Sequence, residues 1–485
     1  MKLQRVAVLG GGPGGLYVAR LLKLAQPDCE VDLHEQGTAE TTFGFGVGLA
    51  AGTQRNLRTA DPDSLADILE RGHPHDMSLR VGDAVAHMPD DTLRAIARST
   101  LLAVLQDHAR AAGVVLHLGE RPVAAELDAD LVIAADGINS ATRDAPGVDF
   151  GTRIEVGEGL YLWCGTDVAL PSALFMPVTT EAGTFVTHAY PYAADRSTFL
   201  IETDGATWRA AGFDVTTEAL TTAAPDASDE VSLRYLEQAF AGPLQGHPLI
   251  GNRTRWLRFR TVSCARWHDG NVVLLGDAAH TAHYSIGSGT KLAMEDAIAL
   301  VAAIGAHDNV PDALVEYETV RRPAVEHLQD VAGRSQRWWD TFPDRLDVPI
   351  NQLLVAYMTR AGKVPLPRFA ESTPEVVRAA LAEFAGEPAP DDVLDDIEKF
   401  VLTRPGARGD VEFDDRVTPL PAGVTVRLDG PHDRDAVLDR LDRAEELRRQ
   451  QPLPVTVVGP EEHLPDLVAG LVAARTDLIE VTPRA

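Results

Sequence analysis

Four stretches of this sequence carry residues that could hold an anion or move a proton. The first is Gly10-x-Gly12-Pro13-Gly14-Gly15, directly after the apolar run Val6–Leu9. Here Gly10 permits a tight turn, Gly12 lets backbone reach a pyrophosphate, and Gly15 allows the next helix to pack closely on the strand. Glu35, followed by Gln36, ends a second apolar run that starts at Cys29. A carboxylate at that distance suits the hydroxyls of a ribose. The second stretch is Asp136-Gly137 with Ser140 and Arg143, where the apolar run from Leu131 stops abruptly. The third is Gly276-Asp277, after Val272–Leu275, leading through Gly287-Ser288-Gly289-Thr290 into a helix read from Lys291 to about Ile304. Bare N–H groups at a helix N-terminus, backed by the helix dipole, attract anions. The fourth, His283-Tyr284, lies inside that same loop and supplies candidate polar groups for a reacting substrate. His280 and His283 have no third ligand at suitable spacing, so no metal is expected.

These residues need elements to hold them. Strand, glycine loop, helix and strand over 5–35 read as a dinucleotide-binding βαβ unit. Residues 91–112 read as a helix with Leu93, Ile96, Leu101, Leu102 and Leu105 on its apolar face and Arg98 near its start. In Thr42–Leu49 glycines alternate with bulky apolar residues, with Gly46 and Val47 at the centre. That pattern reads either as a plain loop or as backbone pressed against a flat ring. From 151 to 264 short β-like runs, a Thr/Ala-rich connection at 215–228 and a helix at 231–241 indicate a separate antiparallel sheet, with His188 and Tyr190 on one strand. A long helical stretch follows at 312–340, then a proline-rich acidic segment, then a tail alternating strand and helix. The expected class is α/β (α+β overall). It comprises a Rossmann-like nucleotide domain (1–150 with 265–345), an inserted antiparallel-sheet substrate domain (151–264), a helical, proline-rich connection (346–420) and a small α/β appendix (421–485).

A net charge of −28 argues against nucleic acid as a partner. Arg253, Arg255, Arg258, Arg260 and Arg266 nevertheless crowd into one segment and could receive a phosphorylated ligand. No apolar run is long enough to span a membrane, the start lacks the pattern of a secretion signal, and the three cysteines are far apart in sequence. A cytoplasmic monomer or homodimer is expected.

In this order, the three glycine–aspartate motifs resemble the single-component FAD-dependent aromatic hydroxylases of the p-hydroxybenzoate hydroxylase type, over about residues 3 to 340. Many members carry proline and asparagine where Tyr284 and Lys291 stand. This variant loop is similar to the branch of salicylyl-CoA 5-hydroxylases and the flavin half of anthraniloyl-CoA monooxygenase. The Phe43–Gly48 stretch also fits that branch, as a loop facing flavin or substrate. The resemblance implies FAD as cofactor and NAD(P)H as a transiently docked co-substrate. It places Gly10–Gly15 and Glu35 on the ADP half of FAD, Arg98 on the flavin nucleotide, Asp136-Gly137 on FAD and nicotinamide, Asp277 on the ribityl or pyrophosphate portion, and Gly287–Gly289 on the flavin ring. It implies oxygen transfer from O₂ through a flavin C4a-hydroperoxide to an electron-rich ring. An aryl-CoA thioester such as salicylyl-CoA, hydroxylated at C5, is the expected substrate, with Arg253 and Arg255 near its phosphates and His188 and Tyr190 lining its cavity. The alternative is a natural-product tailoring hydroxylase acting on a free or carrier-bound indole or other aromatic.

Overall fold

Val6–Leu9 is buried on both faces, the pattern of a central parallel strand. The computed structural model describes residues 1–38, 44–223, 227–287, 289–420, 423–427 and 433–483. Ser288 and the Thr42–Phe43 part of the glycine-alternating stretch therefore lie outside the described residues. Strand Arg5–Leu9 sits inside a six-stranded sheet in the order His268–Asp269, Val272–Leu274, Leu131–Ala134, Arg5–Leu9, Glu30–Glu35, Val115–Leu118. All neighbours run parallel except the His268–Asp269 edge. Helix Pro13–Ala25 packs between this sheet and helices Arg98–Ala112 and Gly289–Ala306. Proline at its first position costs no hydrogen bond, and no side chain among the described residues caps it, so its first-turn N–H groups stay available.

A second, antiparallel sheet runs in the order Leu249–Ile250, Thr152–Thr166, Arg196–Thr203, Gly183–Ala193, Ala173–Thr180, with Trp256–Cys264 also paired to Thr152–Thr166. Strand alternation divides its residues cleanly. Leu160, Leu162, Cys164, Phe185, Ala189, Phe199 and Ile201 face a core closed by Phe213, Leu233, Leu236, Phe240 and Trp256. The register puts Tyr161, Trp163, Phe175, His188, Tyr190 and Glu202 on the other face. A small sheet joins Gly46–Leu49, Arg94–Ala97 and His73–Pro74.

Two sequence expectations change here. The helix read from 91 starts only at Arg98, because Arg94–Ala97 pairs with Gly46–Leu49 and buries Ile96 as a strand residue. The Thr/Ala-rich connection contains a helix, Phe213–Ala223, whose Phe213 enters the sheet core. Tertiary burial overrides a weak local propensity in both cases.

The chain divides into two compact units, Met1–Asp76 with Asp90–Gln336, and Met77–Pro89 with Arg337–Ala485. Both sheets above belong to the first. In the second, helix Ile350–Thr359 packs on the Met77–Val81/Ala84–Met88 hairpin and on helix Pro374–Ala385. Its tail is a parallel sheet of Val424–Val426, Val455–Pro460 and Leu478–Thr482, crossed by helices Arg434–Gln450 and Leu464–Val472. The charged helix is anchored by the buried Arg345–Glu445 pair at 2.5 Å. No helix among the described residues is long and apolar enough to cross a membrane.

Candidate active site

At the C-terminal end of strand Arg5–Leu9 the glycines are fixed by contacts that leave no room for a side chain. Gly10 has φ +102°, and a Cβ there would lie 2.2 Å from the Ala135 carbonyl oxygen. A Cβ at Gly15 would lie 2.0 Å from the Gly10 carbonyl, and one at Gly14 would meet Leu275 at 2.7 Å. Gly12 differs: nothing surrounds its missing side chain within 4 Å, so its backbone is open to a ligand. Glu35 closes the turn, accepting from the Gly11 N–H at 2.7 Å and the Gly37 N–H at 2.6 Å. Those bonds fix the carboxylate and leave lone pairs for hydroxyl donors. Gln36 follows it, exposed.

The second motif sits after strand Leu131–Ala134. Asp136 Oδ2 accepts from the Thr142 N–H and hydroxyl, both at 3.1 Å. Its Oδ1 is buried without a partner among the described residues. Gly137 takes φ +81°, which a side chain would resist. Buried Arg143 donates to the Ile138 carbonyl at 2.9 Å and the Ala278 carbonyl at 3.3 Å. It therefore fastens the second motif to the third.

The third motif is organised by Asp296, fully buried on helix Gly289–Ala306. It accepts from the Gly276 N–H (3.1 Å) and Arg321 Nε (2.9 Å), and lies 2.7 Å from His280 Nε2. Burial alone would raise its carboxyl, but His280 and Arg321 outweigh burial and hold it below the ordinary range. Asp277, next in sequence to Gly276, is exposed to solvent at its surface with protein packed around it. That surrounding protein raises its carboxyl, against the pull of His280 and Arg98. Arg98, at the start of its helix, is lowered by burial and supported by Asp277. Its N–H donates to the Phe45 carbonyl at 2.7 Å. Gly287, at φ +61°, and Gly289 have open space where side chains would be, and Thr290 beside them is half-buried.

The polar face of the antiparallel sheet supplies the rest. Tyr284 lies 4.9 Å from the Tyr161 ring, 5.8 Å from Phe259, 6.2 Å from His188 and 4.1 Å from His283. His283 Nδ1 is 2.9 Å from Ser285 Oγ, which meets Ser335 Oγ at 2.7 Å. Glu202 is buried in this cluster, 3.3 Å from His188 Nε2, with Tyr284 as a further hydrogen-bond partner. Burial would raise its carboxyl; His188, His283 and Tyr284 hold it down. Thus His188, His283 and Tyr284 come together around a residue that sequence reasoning passed over. The available signal was a single acid closing the apolar run from Phe199 to Ile201.

Tyr190 lies on the same face, but its hydroxyl donates to the Gly46 carbonyl at 2.9 Å. A Cβ on Gly44 would meet the Trp163 ring at 2.7 Å, and one on Gly46 the Tyr192 ring at 2.8 Å. Flat rings do press on the glycine-alternating stretch, and at these two positions they are the protein's own. Val47, between Gly46 and Gly48, is buried. The arginine segment does not converge on one point. Arg253 is exposed at a turn with φ +54°, and Arg255 Nε reaches the Ala227 carbonyl at 3.4 Å. Arg258 reaches Gly157, Arg260 reaches Asn139, and Arg266 reaches Asp149.

His34, His117 and Glu120 group with metal-ligand spacing. The two rings stack at 4.6 Å and 13°, and Asp32 takes His117 Nε2 at 2.7 Å. A cation bound by both rings must lie in both ring planes, so these rings would have to turn first.

A family model described as "FAD binding domain" matches residues 94–332. Over 362 residues the chain is 40% identical to 3-hydroxy-4-methyl-anthranilyl-[aryl-carrier protein] 5-monooxygenase of Streptosporangium sibiricum, covering 74% of this chain and 95% of that protein. This chain belongs to the FAD-dependent monooxygenases. It is 43% identical over 344 residues to salicyloyl-CoA 5-hydroxylase of a Streptomyces species, across 70% of this chain and 66% of that one, so it spans about two thirds of that relative's length. It is 30% identical to protodeoxyviolaceinate monooxygenase of Chromobacterium violaceum, across 78% and 99%. The tetrameric form of 2-methyl-3-hydroxypyridine-5-carboxylic acid oxygenase shares the fold, with a TM-score of 0.56 and 22% identity, covering 75% of this chain and 97% of that one. The cradle of this monooxygenase fits its cofactor. A dinucleotide needs bare backbone at its phosphates and polar acceptors at its hydroxyls, which Gly12, Gly287, Gly289, Glu35 and the orphaned Asp136 Oδ1 offer.

Proposed function

We propose that this monooxygenase hydroxylates an electron-rich aromatic ring presented as an acyl thioester, para to a hydroxyl or amino group, with C5 of salicyloyl-CoA as the first candidate. The observation that carries the reading is the loop His283–Tyr284, which lies against the aromatic sheet face at Tyr161 and His188, in a chain 43% identical to a salicyloyl-CoA 5-hydroxylase. Bound FAD, reduced by NAD(P)H, supplies the oxygen chemistry: one atom of O₂ enters the ring and the other leaves as water.

The chain's own residues hold and orient the reactants. The open N-terminus of helix Pro13–Ala25 takes the pyrophosphate, Glu35 a ribose, Asp136 a hydroxyl donor and Arg98 the nucleotide, with Asp277 on the ribityl side. The start of helix Gly289–Ala306, open at Gly289, would supply N–H groups and its dipole to the part of the flavin that gains negative charge on reduction. Tyr161, Phe175, Phe259 and Tyr284 enclose the aromatic ring, fix its orientation and keep water out. Arg253 and Arg255 receive the phosphates of CoA.

The test is NAD(P)H oxidation in air with salicyloyl-CoA, anthraniloyl-CoA, free salicylate and tryptophan, with product analysis. Hydroxylated product in proportion to NAD(P)H consumed is expected for a thioester and not for the free acid. Tight coupling only with an indole would replace this reading by the tailoring-hydroxylase one. A carrier-protein thioester is favoured as second substrate form by the 40% identity across 95% of the Streptosporangium sibiricum protein.

A further inference from the structure

Glu202 belongs to neither the sheet core nor the flavin cradle, and its position argues for a task of its own. It stands on the sheet face opposite the helix-covered core, in register with Tyr161. Its carboxylate is buried, and Oε1 has no hydrogen-bond partner among the described residues. A buried carboxylate without its full set of donors costs several kcal/mol of lost hydration unless something supplies the missing bond. His188 and Tyr284 supply only part. Around it stand the flat side chains of Tyr161, Phe175, Tyr284 and His283, which suit an aromatic ring.

We propose that Glu202 is the substrate-selecting group: its free oxygen accepts a hydrogen bond from the hydroxyl or amino group of the bound ring, and its charge turns away rings that carry an ionised carboxylate. The second half follows from electrostatics. Two carboxylates about 6 Å apart in a partly screened interior repel strongly enough to change binding on the order of 100-fold. Esterification of the ortho acid removes that charge and leaves the donor in place. Glu202 would therefore make a thioester a requirement of the ring site itself, independent of any contact to CoA. This rests on the proposed hydroxylation of an acyl thioester.

The experiment separates the two readings by using small neutral esters as probes. Methyl salicylate, methyl benzoate and salicylate are titrated into FAD-loaded wild type and Glu202→Gln, following the flavin absorbance. Wild type is expected to bind methyl salicylate at least about tenfold more tightly than either methyl benzoate, which lacks the donor, or salicylate, which carries the charge. In Glu202→Gln, methyl salicylate should weaken by about 10- to 100-fold, methyl benzoate should stay within about twofold, and salicylate should bind more tightly than in wild type. A merely structural acid would move all three in the same direction, and that result overturns the proposal. So does a wild type that prefers salicylate to its methyl ester, a measurement that needs no variant. Salicyloyl-CoA turnover is assayed alongside. Its failure would reject salicyloyl-CoA as the substrate, and the ester series would still decide the role of Glu202.

Discussion

The flavin cradle and the aromatic sheet face hold their ligands by different means. In the cradle the backbone does the work: Gly10, Gly12 and Gly15 matter for what they lack, and a Cβ at Gly10 or Gly15 would lie within 2.2 Å of another residue's carbonyl. On the sheet face the side chains do it, through Tyr161, His188, Glu202 and Tyr284. A backbone site tolerates almost no substitution and fails as a unit. A side-chain site can be edited residue by residue, which is how one fold serves many substrates. The contrast can be broken most severely where the cradle is locked from behind. Asp296→Ala would strand the Gly276 N–H and leave Arg321 without its buried acceptor, at a cost of about 3–5 kcal/mol. Chemical denaturation and flavin content should fall together; loss of activity with full stability would place Asp296 outside the lock.

The same residue sets a pH expectation. The Asp296 carboxyl is held below its unfolded value near 3.9, so its contribution to stability is complete above about pH 4 and is lost as pH falls towards and through the folded value. The acid limb of the stability curve should therefore be flatter in Asp296→Ala than in wild type. Next in size is Gly15→Ala. Its methyl group would overlap the Gly10 carbonyl, costing roughly 3 kcal/mol, and the protein should purify colourless. A yellow variant of normal stability would mean that the βα turn can relax, and that the cradle is less rigid than the glycine contacts indicate.

The same contrast explains what could be read in advance. Backbone geometry leaves a record in residue type, because only glycine takes φ +102° at position 10 or fits against the Gly10 carbonyl at position 15. Hence the strand–loop–helix layout and the three motifs were visible. Glu202 was not, since its role depends on which face of a strand it occupies and on the loop that lies opposite. Register between distant segments decides that. The strand Arg94–Ala97 was hidden for the same reason: its partner, Gly46–Leu49, is remote in sequence. The glycine alternation at Gly44, Gly46 and Gly48 could signal close approach, but not that Trp163 and Tyr192 were the rings approached.

Smaller effects should separate cofactor binding from support of the loop. Asp136→Asn keeps an oxygen for Thr142 and replaces the one that no described protein group uses by an amide N–H, so FAD should bind about 10- to 100-fold more weakly while the apoprotein keeps its stability. Equal losses in apoprotein and holoenzyme would show that the Thr142 contacts, not the open oxygen, are what matter. Tyr190→Phe leaves the Gly46 carbonyl without its 2.9 Å donor, for about 1 kcal/mol of stability. If Tyr190 acts only as this brace, KM for the aromatic substrate should not change, and a selective rise in KM would return it to the substrate cavity.

The smallest expected effect lies outside both regions. Arg258 and Arg260 lie on strand Trp256–Cys264 and reach Gly157 and Asn139, whereas Arg255 reaches Ala227, so the arginines point to different partners and do not form one phosphate site. Surface charges that contact phosphate are screened by salt and individually weak. The double variant Arg253→Ala/Arg255→Ala should raise KM for a CoA thioester about threefold at low salt and hardly at all at high salt. A thioester of the same acid on a short, uncharged thiol should be unaffected at either ionic strength. Because the acyl group is identical in the two substrates, the sheet face sees the same ring in each. A rise in KM for both would show that these arginines act through the fold of the sheet, and no change for either would leave acyl recognition entirely to the side chains around Glu202.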